Sequence, residues 1–239
     1  MINVEHIETF NWEGAIRGMR NPLNSHDKSD SHMCFGVGGE HCGYMEKCGG
    51  NCCYEIGEND LALMRKLCRA GSDHRKFLRQ IMVSMDITAP LYWWKEFDTY
   101  KVGTVANSCS TMHTIHKRDL VIEDFSHEKL TKSSLFCLAH TIAEINANRE
   151  VYVNWDKQSK GVRNLFGNER ENAWENIIQL LPTSYNQLRT VTLNYEVLLN
   201  IYHARKNHKL DEWHTMCDTI ADMPYFYDIC LSEENSNVE

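Results

Sequence analysis

The stretch Thr88–His113, TAPLYWWKEFDTYKVGTVANSCSTMH, changes character halfway along. Its first half, to Tyr100, has the pattern of a buried helix: Pro90 stands at a permitted first-turn position, and Leu91, Trp94 and Phe97 follow at helical spacing. From Lys101 to His113 the composition switches to Gly103 and small hydroxyl and amide side chains: Thr104, Asn107, Ser108, Ser110 and Thr111. Such a run cannot build a core, but it can hydrogen-bond an anion or a heterocycle. Two readings follow: an ordinary surface loop, or a small-molecule site fed by a tryptophan-rich helix. Cys109 in this run has no histidine fixed beside it in sequence and reads as a small buried thiol rather than a nucleophile.

Upstream, Met82 to Thr88 alternates like a half-buried strand. Before it, Asn59-Asp60 caps a helix whose apolar face is Leu61, Met64, Leu67 and Cys68 and which Gly71 ends. A second helix from Ser72 buries Phe77, Leu78 and Ile81 and leaves His74, Arg75 and Arg79 on its other face. Residues 1 to 31 open with a strand-like stretch and pass into a polar, turn-rich segment, Gly18 to Ser25, which Arg17 and Arg20 make basic. That segment is either a surface loop or one that folds over a phosphate.

Downstream, Lys129 to Asn146 reads as a long helix, Glu150 to Trp155 as a β-branched and aromatic strand, and Asn168 as the cap of a helix that Pro182 stops. A helix from Ser184 to His203 carries Arg189, Asn194 and Tyr195, and a last one runs from Asp211 to Asp222.

The 239 residues carry a net charge of −8, which argues against a nucleic-acid or anionic-membrane surface yet leaves room for a mononucleotide. Glu5, Glu8, Glu13 and Arg17 break the start of the chain before an apolar segment develops, so the expectation is a cytoplasmic protein without a membrane span. Ten scattered cysteines then read as reduced thiols. Cys34 to Cys53 lacks a Cys-x-x-Cys pair, so free thiols on an insertion are expected there rather than a metal. Ser-His-Asp order, a Walker loop and HExxH are all missing, which removes the usual markers of hydrolases and phosphotransferases.

Asn107-Ser108-Cys109-Ser110 followed by Met112-His113 resembles the Asn-Glu-x-Ser and Arg-Tyr motif of the flavin-dependent thymidylate synthase family. Tyr100-Lys101-Val102 stands where that family has Arg-His-Arg, keeping one cation of three. Leu181-Pro182, Asn194, Arg205 and Glu212-Trp213 are similar in order to the family's carboxy-terminal pattern, and His74 matches its helix histidine. The likeness runs from Ile56 to Trp213.

The resemblance implies an α+β fold with a central, mostly antiparallel sheet flanked by long helices. Within one structural domain it divides the chain into an N-terminal segment (1–55), a core (56–231) and a polar tail (232–239). It implies reductive methylation of dUMP to dTMP in a homotetramer, with FAD as cofactor and NADPH and methylenetetrahydrofolate as co-substrates. Ser110 and Arg205 would be catalytic; Asn107, Ser108 and Arg189 would join them at the nucleotide; His74, Arg79, Tyr100, Lys101 and Asn194 would face the flavin. The departures leave two alternatives: an enzyme acting on another pyrimidine nucleotide, such as a hydroxymethylating relative, or a non-catalytic nucleotide-binding homologue.

Overall fold

The computed structural model describes residues 2–33 and 54–232; the cysteine-rich stretch from Cys34 and the acidic tail lie outside them. The chain is α+β, with an antiparallel sheet and predominantly helical connections. No helix among the described residues is long and apolar enough to cross a membrane. Contacts divide the chain into two compact units, one built from Thr88–Phe97 and Ser108–Arg189, the other from Ile2–Ile87, Asp98–Asn107 and the chain from Thr190 on.

The larger unit holds β1 (Asn3–Phe10), α1 (Trp12–Arg20), the short antiparallel pair β2 (His32–Met33) and β3 (Tyr54–Glu55), and α2 (Glu58–Arg69). Most of β4 (Met82–Pro90) and β5 (Val105–Ser108) and the end of β6 (Asn186–Asn194) belong to it, as do α8 (Tyr195–Arg205) and α9 (Asp211–Ala221). The strand order is β1-β4-β6-β5, and Thr190 Oγ1 on β6 donates to Asp86 Oδ1 on β4 at 2.6 Å. Val83, Met85 and Ile87 alternate into the core, as the sequence predicts. Tyr195 anchors that core: Trp12 and Phe226 meet its ring edge-on, and its hydroxyl donates to Pro224 O at 2.6 Å.

The other unit holds α3 (Leu91–Phe97), the single turn α4 (Thr111–Thr114), α5 (Lys132–Val153), α6 (Lys160–Leu165) and α7 (Arg170–Leu180). Its core joins Ile115, Leu120 and Phe125 to Leu138, Ile142 and Ile145 on α5 and Ile177 on α7. Trp93, Trp94 and Phe97 are buried and pack on one another, Trp93 stacked on Phe97 and Trp94 edge-on to it.

Several elements depart from the sequence reading. The central helix is only Leu91–Phe97; β4 runs through Pro90, and the first amides of α3 donate to Tyr185 O and Thr183 O. Lys101 to His113 is not all loop, since it contains β5 and α4. Glu150 to Val153 continues α5 rather than forming a strand, because Tyr152 extends the buried series Leu138, Ile142, Ile145 at helical spacing. Packing overrides the β propensity of that segment. Arg189 sits on a strand, β6, in which Val191 and Leu193 alternate inward; the helix begins only after Asn194. Lys76–Arg79 is a 3₁₀ turn instead of a second helix, the residues after Gly71 (φ 100°) being spent in a turn in which His74 N and Arg75 N donate to Gly71 O at 3.0 and 3.1 Å. Glu169, not Asn168, caps α7.

The start of α2 is also built differently. Asp30, not the Asn59-Asp60 pair, receives the amides of Asn59 (2.9 Å) and Asp60 (3.1 Å). Asp60 turns inward, fully buried, and its Oδ1 meets Arg20 Nε at 2.6 Å. Gly18 to Arg20 is the end of α1, so Arg20 is a core cation rather than a loop one. Arg17 is exposed beside Glu13.

Candidate functional site

In the smaller unit, Ser108 to Thr114 lies against the start of β6. Cys109 N donates to Leu188 O at 2.8 Å, and Gln187 Nε2 donates to Cys109 O (3.0 Å) and Thr111 Oγ1 (3.3 Å). Gln187 Oε1 in turn accepts from Arg189 Nε at 3.0 Å. The Arg189 guanidinium lies 4.2 Å over the ring of Trp94, whose Nε1 donates to Gln187 O at 2.9 Å. Arg189 and the Ser108–Ser110 backbone are thus tied together through Gln187. The Ser108 and Ser110 side chains make no hydrogen bond among the described residues. A planar cation on an aromatic platform beside two open hydroxyls suits an oxyanion or a polar heterocycle. Cys109 is exposed rather than buried, with Thr114 Oγ1 3.8 Å from its sulfur.

The larger unit gathers a second set. Arg205 at the end of α8 donates from Nε to the Tyr100 hydroxyl at 2.9 Å, and its guanidinium lies 4.7 Å over the ring of Trp213. Asn194 is buried, and its Oδ1 accepts from Val197 N at 3.1 Å to cap α8. Gly103 has φ 78°, and a Cβ there would come within 2.9 Å of Asn194 Nδ2. Gly103→Ala is therefore expected to lower stability by about 1–2 kcal/mol or more, since left-handed backbone disfavours a side chain and the cap blocks retreat; thermal melting checks this. Lys101 and Asn107 are exposed.

The same unit contains a cavity of about 800 Å³ between the Gly18–Lys28 segment and the Asp73–Gln80 turn. Lys28, His74, Lys76 and Gln80 line it together with Leu63, Leu67 and Phe77. Arg20 shapes its wall: besides Asp60, it donates to Ser25 O (3.2 Å) and Lys28 O (3.1 Å), which holds the turn in place. Asp60 Oδ2 adds bonds from the Ser29 and Ser31 hydroxyls at 2.7 and 2.6 Å. Burial by itself would raise the Asp60 carboxyl, but the Ser31, Ser29 and Arg20 donors outweigh it and hold the group below the usual carboxylate range. Arg79 is exposed at the edge of this turn.

Of the residues expected at a site, Ser108, Ser110 and Arg189 come together in one unit. Tyr100 and Arg205 come together in the other, which also contains His74, Arg79, Lys101, Asn107 and Asn194. Gln187, Trp94 and Asp60 are not expected at a site: in sequence Trp94 reads as a core residue and Asp60 as a helix cap, and each takes its role from a partner remote in sequence. Among the described residues no group of His, Cys, Asp and Glu is placed to hold a metal ion.

No protein-family model matches this sequence, and no curated protein matches it at a significant level. Solved structures do match. Thymidylate synthase X from Helicobacter pylori, crystallised with FAD and dUMP, aligns over 97% of this chain and 97% of its own at a TM-score of 0.59 and 14% identity. A UMP/dUMP methylase, PolB from Streptomyces cacaoi, bound with 5-Br dUMP, aligns over 96% of this chain and 94% of its own at a TM-score of 0.54 and 14% identity. The fold is therefore that of the flavin-dependent thymidylate synthases.

Proposed function

We propose that this protein is a flavin-dependent enzyme that methylates dUMP reductively to dTMP, with methylenetetrahydrofolate as carbon donor and NADPH as reductant, working as a homotetramer. The observation that carries the proposal is the cavity that His74 and the Arg20–Lys28 turn enclose, in a chain whose fold matches proteins crystallised with FAD and dUMP. Its volume lies within the range of ligand pockets, about 300–1,000 Å³.

The lining fits a dinucleotide cofactor. Lys28 and Lys76 supply charge for a pyrophosphate, His74 and Gln80 hydrogen bonds, and Leu63, Leu67 and Phe77 apolar surface for rings. Arg79, Tyr100, Lys101 and Asn194 complete the flavin set that the family resemblance implies. When bound, reduced flavin supplies the hydride, a reaction no side chain can perform. The protein's own work is to bind and orient. Ser108 and Ser110 offer hydroxyls to the nucleotide, and Arg189, held by Gln187 and Trp94, offers a planar cation; Asn107 is a further nucleotide contact that the family resemblance implies. Arg205, steadied by Tyr100, is the cation that the family resemblance assigns to the nucleotide.

Two measurements test this: the absorption spectrum and mass of whatever co-purifies, and NADPH- and folate-dependent tritium release from C5-tritiated dUMP. Bound flavin with tritium release is expected; flavin with turnover of a different pyrimidine nucleotide would shift the substrate, and binding of neither flavin nor nucleotide would leave a non-catalytic homologue. Ser110→Ala removes a neutral hydrogen bond and is expected to weaken dUMP binding by about 0.5–1.5 kcal/mol, measured by calorimetric titration.

A further inference from the structure

Two glycines, Gly14 and Gly18, stand one turn apart on the same face of the nine-residue helix α1. Neither has a positive φ, and glycine is the poorest helix former after proline, so the backbone gives no reason for them. The reason is close approach. A Cβ at Gly18 would stand 2.5 Å from Gln80 Oε1 and 3.3 Å from its Cδ and Nε2, so the carboxamide lies directly against the bare turn of the helix. A Cβ at Gly14 would overlap Asn11 Oδ1, and Asn11 Nδ2 donates to Gln80 O at 2.9 Å. Both glycines thus serve one residue: Gly18 makes room for the Gln80 side chain, and Gly14 for the amide that holds its backbone. Gln80 N in turn donates to Phe77 O at 2.9 Å, which fixes the residue to the end of the 3₁₀ turn. Gln80 is exposed, and with Gly18 it lines the 800 Å³ cavity.

We propose that this glycine face positions Gln80 for cofactor recognition: Gly18 gives the carboxamide a berth against α1 from which it hydrogen-bonds the ring of a flavin in the cavity. The inference rests on the flavin reading above. A carboxamide offers an acceptor and two donors in one plane, which complements a ring edge where C=O and N–H alternate, as on the pyrimidine side of an isoalloxazine. A methyl group at Gly18 would turn the carboxamide out of its berth and into the space the ring would fill. The displaced atoms are the far end of a flexible, exposed side chain, so the fold itself would bear little of the cost. Alanine is also the better helix former, and α1 should gain from it. The signature of this role is therefore a loss of flavin affinity without a loss of stability.

The test titrates FAD with the full chain, reading affinity from the quenching of flavin fluorescence, and records the melting temperature of the flavin-free protein. Gly18→Ala is expected to weaken FAD binding about three- to tenfold, the worth of one neutral hydrogen bond, and to raise the melting temperature by about 2 °C. Gln80→Met keeps the length of the side chain without its hydrogen bonds and should weaken binding over the same range at an unchanged melting temperature. In a Gln80→Ala background Gly18→Ala should cost no further affinity, because the side chain it displaces is gone. A Gly18→Ala loss that adds in full to that of Gln80→Ala, or that comes with a lower melting temperature, overturns the proposal in favour of a packing role for the glycine. Wild type that binds FAD no better than Gly18→Ala or Gln80→Met overturns this inference alone; wild type that binds no FAD overturns the flavin reading and this inference with it.

Discussion

Asp60→Asn is expected to lower the stability of the fold by about 3 kcal/mol or more, because removing one member of a buried ion pair strands the other charge. Arg20 is only 4% exposed, and its nitrogens are committed to Asp60, Ser25 and Lys28, so loss of the carboxylate leaves a largely buried charge without its counter-ion. Urea titration should show the midpoint fall at an unchanged slope. Arg20→Met combined with Asp60→Leu removes both charges and should recover part of the loss, which a simple packing defect would not. The pair also carries a pH dependence. The Asp60 carboxyl is held down in the folded state, so its contribution is complete above the unfolded value of about 3.9 and is lost as pH falls through the lower folded value. Wild type should therefore lose stability below about pH 4 more steeply than Asp60→Asn does. The Arg20–Lys28 turn walls the cavity, so the variant should also hold flavin less tightly.

Arg205→Ala is expected to weaken dUMP binding about ten- to a hundredfold, the 1.5–3 kcal/mol of one charge-assisted contact. The side chain is already ordered by the Tyr100 hydroxyl and the Trp213 ring, so little rotamer freedom remains to be lost when it meets an anion or a carbonyl. Two further variants separate binding from packing. Arg205→Lys keeps the charge without the fork and should recover only part of the affinity; Tyr100→Phe removes the steadying hydrogen bond and should cost less than Arg205→Ala. Calorimetric titration of dUMP, alongside melting curves to confirm folding, decides among these. Affinity equal to wild type in Arg205→Ala would reduce this arginine to a packing role.

Much of the fold is legible in local pattern. The alternation of Val83, Met85 and Ile87 marks β4, and the spacing of Trp213, Met216, Cys217 and Ile220 marks α9, because each element buries one face and that face has its own period. The small polar run around Ser108 and Ser110, and the arginines Arg189 and Arg205, are likewise visible as chemistry in search of a ligand. Pattern fails where a distant partner outweighs it. EVYV is a strand by propensity and a helix in place, since Tyr152 packs onto the Ile142 and Ile145 cluster. Arg20 and Asp60 are unremarkable charges in sequence, and only folding brings them, 40 residues apart, to 2.6 Å in a buried pair. Gln187 joins the Ser108–Ser110 loop to β6 for the same reason: propensity acts over the few residues of a turn, whereas such contacts exist only once separate segments share a surface.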